Sequence, residues 1–220
     1  MEKMMEKTVV FDMDGVIFDT EALIIRCWVQ VAARHGIEDM EEVFRRCIGT
    51  NSAETRRIVF EHYGEDFAYD TYKVEVADVF KEKTREKGIP VKRGARELLS
   101  YLKVNGFQIG LASSTKKELL EQELSDAGLL KFFHVLIGGD MVHHSKPHPE
   151  IYQLACEKLG VAPAKAYAIE DSFHGVQSAY DAGMKVIMVP DLLEPDDNMR
   201  EMATEIFPSL MGVLGYFQNI

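Results

Sequence analysis

The sequence predicts an α/β fold, a parallel sheet covered by helices on both faces, with an all-helical insertion after its first strand. Three observations carry that expectation. Short apolar runs recur at Thr8–Phe11, Phe107–Ala112, Phe133–Ile137, Lys165–Ile169 and Lys185–Val189, the lengths and composition of buried strands. Amphipathic helical periods lie between the later runs, and such strands alternating with helices form parallel sheets buried on both faces. The alternation then fails between Thr20 and Gly88, where only helical periods occur.

Taken in order, Thr8–Phe11 is the first strand. In the insertion, Leu23, Cys27, Trp28 and Val31 form one helical stripe, Ile58, Val59 and Tyr63 a second, and Val76, Val79 and Phe80 a third. A charged run, Lys81–Lys87, precedes the breakers Gly88 and Pro90. The expected organisation is therefore a core of residues 1–19 and 89–220 and a helical unit of 20–88. Ala95, Leu98, Leu99 and Leu102 stand at i, i+3, i+4 and i+7, with Gly106 as a stop. The helix opening near Thr115 has Glu118 three residues on, the form of a capping box. Ile151, Leu154, Ala155 and Leu159 repeat the helical period, with Pro149 at the first turn and Gly160 at the end.

Composition excludes several functions. The 220 residues carry 25 Lys and Arg against 36 Asp and Glu, for a net charge of −11. A chain this acidic has no broad attraction to nucleic acid or anionic membranes, so neither is expected as a partner. Its 46% hydrophobic content is that of a folded domain, and no apolar run reaches the ~18 residues of a membrane span. The three cysteines, Cys27, Cys47 and Cys156, are far apart and lack any CxxC pairing, which reads as buried thiols in a cytoplasmic protein. The amino terminus lacks the apolar stretch of a secretory signal. A monomer is expected.

The chemistry is concentrated where strands end. Asp12 and Asp14 follow the first apolar run directly, at i and i+2, and open α/β sheets bind ligands at the carboxyl ends of their strands. Alone, such a DxDG is as readily a solvated turn. Glu170 and Asp171 end another run, Ser113 and Ser114 a third, and Lys146 stands just before a helix entrance. Carboxylates, a lysine and hydroxyls gathered in one crevice are what Mg²⁺-dependent phosphoryl transfer requires.

The segments FDMDGVIFDTE, GLASST, SKPHPEIY and IEDSFHGVQSAYDAG, in that order, resemble the motifs of the haloacid dehalogenase superfamily, in the branch of β-phosphoglucomutase and sugar-phosphate phosphatases. The resemblance spans nearly the whole chain. It implies a Rossmann-like core with a C1-type helical cap, acting on a small phosphorylated metabolite, such as a sugar phosphate, with Mg²⁺. Asp12 would then be the nucleophile that takes the phosphoryl group, and Asp14 the acid and base that serves leaving group and water. Asp12, the backbone carbonyl of Asp14 and Asp171 would hold Mg²⁺, with Glu170 nearby. Ser113 and the N–H of Ser114 would receive phosphate oxygens, and Lys146 would offset charge on the nucleophile and the transferring group. Gly175 would allow close backbone approach beneath the site, or serve ordinary helix packing.

Within that family, Asp14 and the Glu170–Asp171 pair argue against a dehalogenase. A phosphonatase would need a cap lysine, and Glu21 to Tyr63 contains none. The rival is a phosphomutase. Its cap histidine and arginine correspond here to Ile24 and Ser52, although Arg56 and Arg57 lie one turn further on. Water is then the expected acceptor, and the reaction a phosphatase. Glu21, Thr50 and Asn51 are candidates for contacting the leaving group, or equally helix caps. His143, His144 and His148 surround Lys146, but adjacent histidines diverge in an extended loop, and a loop reading is preferred to a Zn²⁺ site. Asp191, Glu194, Asp196 and Asp197 read as an acidic surface loop, lacking EF-hand spacing.

Overall fold

The computed structural model describes residues 7–48, 52–86 and 88–220. The chain divides into two compact units, one formed by Val91–Ile220 with the segment up to Phe18, the other by Asp19–Pro90.

Among the described residues the first unit is built on six strands, β1 (Thr8–Phe11), β2 (Gln108–Ala112), β3 (Val135–Ile137), β4 (Tyr167–Glu170), β5 (Lys185–Met188) and β6 (Glu205–Ile206). Every pairing is parallel, in the order β3-β2-β1-β4-β5-β6. Residues Val9, Val10, Phe11, Ile109, Leu111, Ala168, Ile169, Val186 and Ile187 are fully buried, as strands covered on both faces must be. The register aligns Phe11 with Leu111 on one side and Ile169 on the other. The next residue or two of each strand therefore emerge together where the strand order reverses, the position at which such sheets bind ligands.

Among the described residues, six α-helices complete this unit: α5 (Ala95–Val104), α6 (Lys117–Asp126), α7 (Glu150–Leu159), α8 (Phe173–Asp181), α9 (Asp197–Met202) and α10 (Leu210–Gln218), numbered after the four helices of the second unit. α5 buries Ala95, Leu98, Leu99 and Leu102, the four residues of its apolar period. α7 buries Ile151, Tyr152, Ala155, Cys156 and Leu159, and ends on Gly160 in the left-handed region.

The second unit is wholly helical among its described residues: α1 (Thr20–His35), α2 (Met40–Arg46), α3 (Ser52–Tyr63) and α4 (Tyr69–Arg85). Its centre is an aromatic stack in which Trp28 lies 4.3 Å from Phe44 and 5.6 Å from Tyr69, the rings inclined by 25° and 10°. Cys27, Cys47 and Cys156 are buried and outside any disulfide. No helix among the described residues is long and apolar enough to cross a membrane.

Several local expectations are corrected. The fourth strand begins at Tyr167 because Pro163–Lys165 forms a 3₁₀ turn. The capping box at Thr115 does not form: α6 begins at Lys117, whose backbone N–H donates to Asp140 Oδ1 at 2.8 Å. The Thr115 hydroxyl is drawn instead to Asp14 Oδ2, 3.3 Å away. Asp191 is not a surface residue, since its side chain is 8% exposed and paired with Lys92. Asp196 in the same segment caps α9, accepting from the N–H of Met199 at 2.8 Å.

Candidate active site

The site begins with the turn after β1. Asp12 continues the strand's ladder, its N–H donating to the carbonyl of Ile169 at 2.9 Å, and its side chain is only 10% exposed. Gly15 follows at φ +83°, and a side chain there would overlap the Asp171 carboxylate. The glycine thus serves both the turn and the close approach of β1's loop to the loop after β4.

Lys146 enters from the loop before α7. Its Nζ donates to Asp12 Oδ1 at 2.6 Å, to Glu170 Oε1 at 2.6 Å and to the carbonyl of Ala112 at 3.1 Å. Burial alone would lower its pKa. The adjacent Asp12 and Glu170 charges and their hydrogen bonds overcome that and raise it, so the ammonium stays charged. Burial pushes the Asp12 carboxyl well above the ordinary range against the pull of Lys146, and the charges of Glu170 and Asp14 add to the rise. One ammonium is shared by two carboxyl groups, Asp12 and Glu170, so with both ionised this trio carries surplus negative charge.

Glu170 is fully buried, and its oxygens are heavily engaged. Beyond Lys146, Oε1 accepts from the Tyr152 hydroxyl at 2.6 Å, while Oε2 accepts from the Asp171 N–H at 3.2 Å and the Ser172 hydroxyl at 3.4 Å. A side chain at Gly175 would overlap the Glu170 carboxyl. This resolves the alternatives for that glycine in favour of close approach. Asp12, Glu170 and Asp171 present carboxylate oxygens within 4.8 Å of one another. An all-carboxylate oxygen set with surplus negative charge fits a hard divalent cation such as Mg²⁺.

At the end of β2, Ser113 is 1% exposed, its N–H donating to the carbonyl of Ile137 at 3.1 Å and its Oγ accepting from the Thr115 N–H at 3.1 Å. The Ser113 hydroxyl proton is left to point elsewhere, while Ser114 is exposed beside it. Asp12, Asp14, Ser113, Lys146, Glu170 and Asp171 thus stand on adjoining strand ends and the Lys146 loop.

Two contributors escape sequence reasoning. Tyr152 holds Glu170, and the available signal was its polar hydroxyl on the buried face of a helix, where it must find a partner. Thr115, by its bond to Asp14, is visible only once the strands are aligned. In the helical unit, Glu21 sits half-buried in the first turn of α1, and Thr50 and Asn51 lie outside the described residues. Arg56 makes a two-pronged pair with Asp70 at 2.7 and 2.9 Å, and Arg57 pairs with Glu54 and Glu61.

The sequence profile of the haloacid dehalogenase-like hydrolases matches residues 9–189. A phosphorylated carbohydrates phosphatase of Thermotoga maritima is 35% identical over 82% of this chain and 83% of its own. An N-acetylmuramic acid 6-phosphate phosphatase of Pseudomonas aeruginosa is 29% identical over 94% of this chain and 92% of its own. Among solved structures, a Thermotoga maritima protein provisionally classed as a β-phosphoglucomutase superposes with a TM-score of 0.81 at 31% identity, covering 97% of this chain and 99% of that one.

Proposed function

The chain belongs to the haloacid dehalogenase-like hydrolase family, and from that membership we propose that it is a Mg²⁺-dependent phosphatase of a phosphorylated carbohydrate, working through an aspartyl phosphate on Asp12. The observation that carries this reading is the pairing of Lys146 with Asp12 and Glu170, at 2.6 Å each, beside Asp171.

Asp12, the Asp14 backbone carbonyl and Asp171 would hold the cation, with Glu170 within reach. When bound, the cation supplies positive charge that offsets the repulsion between Asp12 and an incoming phosphate. Lys146 orients Asp12 and pulls its carboxyl toward the ionised form against burial, a pull that a bound cation would reinforce. An Asp12 oxygen forms a bond to phosphorus as the ester P–O bond breaks, and Asp14 gives its proton to the departing alkoxide. Asp14 then takes a proton from water, whose oxygen bonds to phosphorus as the Asp12–phosphorus link breaks. Ser113 and the N–H of Ser114 receive phosphoryl oxygens. Selection of the leaving group is assigned to the helical unit, with Glu21, Thr50 and Asn51 as its candidates on the strength of the family resemblance.

Likeness to a protein classed as a β-phosphoglucomutase favours a second reading, a phosphomutase. That reaction must retain a second phosphate, and the cations nearest the expected place, Arg56 and Arg57, are already paired with acids. Water is the better-supported acceptor. Assaying phosphate release across sugar phosphates, nucleotides and polyol phosphates with Mg²⁺ tests the assignment. Release from at least one sugar phosphate is expected; conversion of β-glucose 1-phosphate to glucose 6-phosphate without release would establish the mutase instead.

A further inference from the structure

The loop that delivers Lys146 carries a second set of metal-ligand side chains. His144, His148 and Glu150 each place a donor atom within 4.8 Å of the others. The sequence alone favoured a plain loop over a Zn²⁺ site at His143, His144 and His148, on the ground that adjacent histidines diverge in an extended loop. Folding instead brings together His144 and His148, whose rings lie 4.5 Å apart and are inclined by 31°.

The carboxylate of this group is set in advance. Glu150 accepts from the backbone N–H of His143 and of His144, each at 2.9 Å. The bond from His143 leads in lowering its pKa to about 2, against a burial penalty and with help from His144, so it is ionised at neutral pH. His144 Nδ1 lies 3.0 Å from Glu150 Oε2 and His148 Nδ1 4.0 Å. His148 Nδ1 also accepts from the Glu150 N–H at 3.3 Å, a long hydrogen bond that a metal would displace. Around a tetrahedral ion with metal–ligand bonds near 2.0–2.1 Å, donors stand about 3.3 Å apart. His148 must close on Glu150 from 4.0 Å, and the histidine side chains are 66% and 49% exposed, free to adjust. An open groove of about 590 Å³, lined also by Gln177 and Asp181, gives access.

We propose that His144, His148 and Glu150 form a surface site for a first-row transition-metal dication such as Zn²⁺. Two imidazoles and one carboxylate suit Zn²⁺, Ni²⁺ or Cu²⁺ and not Mg²⁺, which takes oxygen ligands. The site is therefore chemically distinct from the all-carboxylate cluster. Its histidines bracket Lys146, so a bound ion ties down the loop whose lysine reaches Asp12 and Glu170.

The test is calorimetric titration of ZnCl₂ into the protein held in excess Mg²⁺, which occupies the carboxylate cluster. One Zn²⁺ per chain is expected, with affinity at least ~10-fold weaker in His144→Ala and in His148→Ala and unchanged in Asp171→Asn. Zn²⁺ should also raise the thermal midpoint of the wild type and leave that of the double histidine variant unmoved. Both histidines are exposed, and circular dichroism verifies that the variants fold. An unchanged titration in the double variant, loss of binding in Asp171→Asn, or the absence of saturable binding to the wild type would each overturn the proposal. None of these outcomes depends on the phosphatase assignment.

Discussion

The Nζ of Lys146 donates to Oδ1 of Asp12 across 2.6 Å, joining residues 134 positions apart in the chain. The same ammonium reaches Glu170 at 2.6 Å, so the turn after β1, the end of β4 and the loop before α7 meet at one cation. Both partners are removed from water, and a buried charge that loses its counter-charge is strongly destabilising.

Lys146→Met is therefore expected to act twice. It should lower kcat for any accepted phosphate ester by ~10²–10³-fold. It should also reduce unfolding free energy by roughly 3 kcal/mol, because Asp12 and Glu170 are left without their ammonium. Steady-state kinetics and urea denaturation measure the two effects. Loss of activity at unaltered stability would show that the pair contributes nothing to the fold.

Asp14 is assigned the proton given to the departing alkoxide. Asp14→Asn should then reduce turnover of sugar phosphates by ~10²–10⁴-fold. In a single turnover, release of p-nitrophenol from p-nitrophenyl phosphate, whose phenolate leaves without a proton, should slow much less than leaving-group release from a sugar phosphate, since the water step that follows is common to both. Equal slowing of the two first steps would remove Asp14 from the acid role.

Gly175 tests how closely α8 must approach Glu170. The Cβ of Gly175→Ala would overlap the Glu170 carboxyl, and a fully buried side chain cannot move away freely. A stability loss of ~2–3 kcal/mol is expected, with a fall in kcat as Glu170 releases Lys146. A neutral substitution in both assays would mean that the backbone yields there.

Much of this was legible from residue order. Fully buried parallel strands must be apolar throughout, so Thr8–Phe11 and its counterparts stand out without an alignment of homologues, and the acids that interrupt them mark the strand ends. What was not legible depends on partners distant in sequence. Thr115 has the spacing of a helix cap, yet its hydroxyl serves Asp14, from which it is separated by 101 positions. Tyr152 follows the core period of its helix, and its hydroxyl announces a buried partner without naming Glu170. Arg56 and Arg57 look free for a phosphate until Asp70, Glu54 and Glu61 are seen to occupy them.

Glu123 on α6 supplies a pH dependence. Burial, then the charges of Asp14 and Asp126, push its carboxyl up to about 7 from an ordinary 4.5. A carboxyl with a raised pKa in the fold binds its proton more tightly folded than unfolded. The stability it lends is fully present below the unfolded value and is lost as pH rises through 7. Glu123→Gln should thus be more stable than wild type at pH 8 by ~1 kcal/mol, after discounting for its partial exposure. At pH 4 the difference should vanish. Denaturant unfolding at both pH values decides it, and an equal difference at both would show that Glu123 does not titrate in this range.

In the proposed mechanism Asp12 itself carries the phosphoryl group. Rapid acid quenching during turnover of an accepted sugar phosphate, followed by borohydride reduction and peptide mass spectrometry, would trap it there. An aspartyl phosphate is reduced to homoserine, so homoserine is expected at position 12 in the wild type, dependent on substrate and absent from Asp12→Asn. Homoserine at another acidic position, or none while phosphate is still being released, would contradict it.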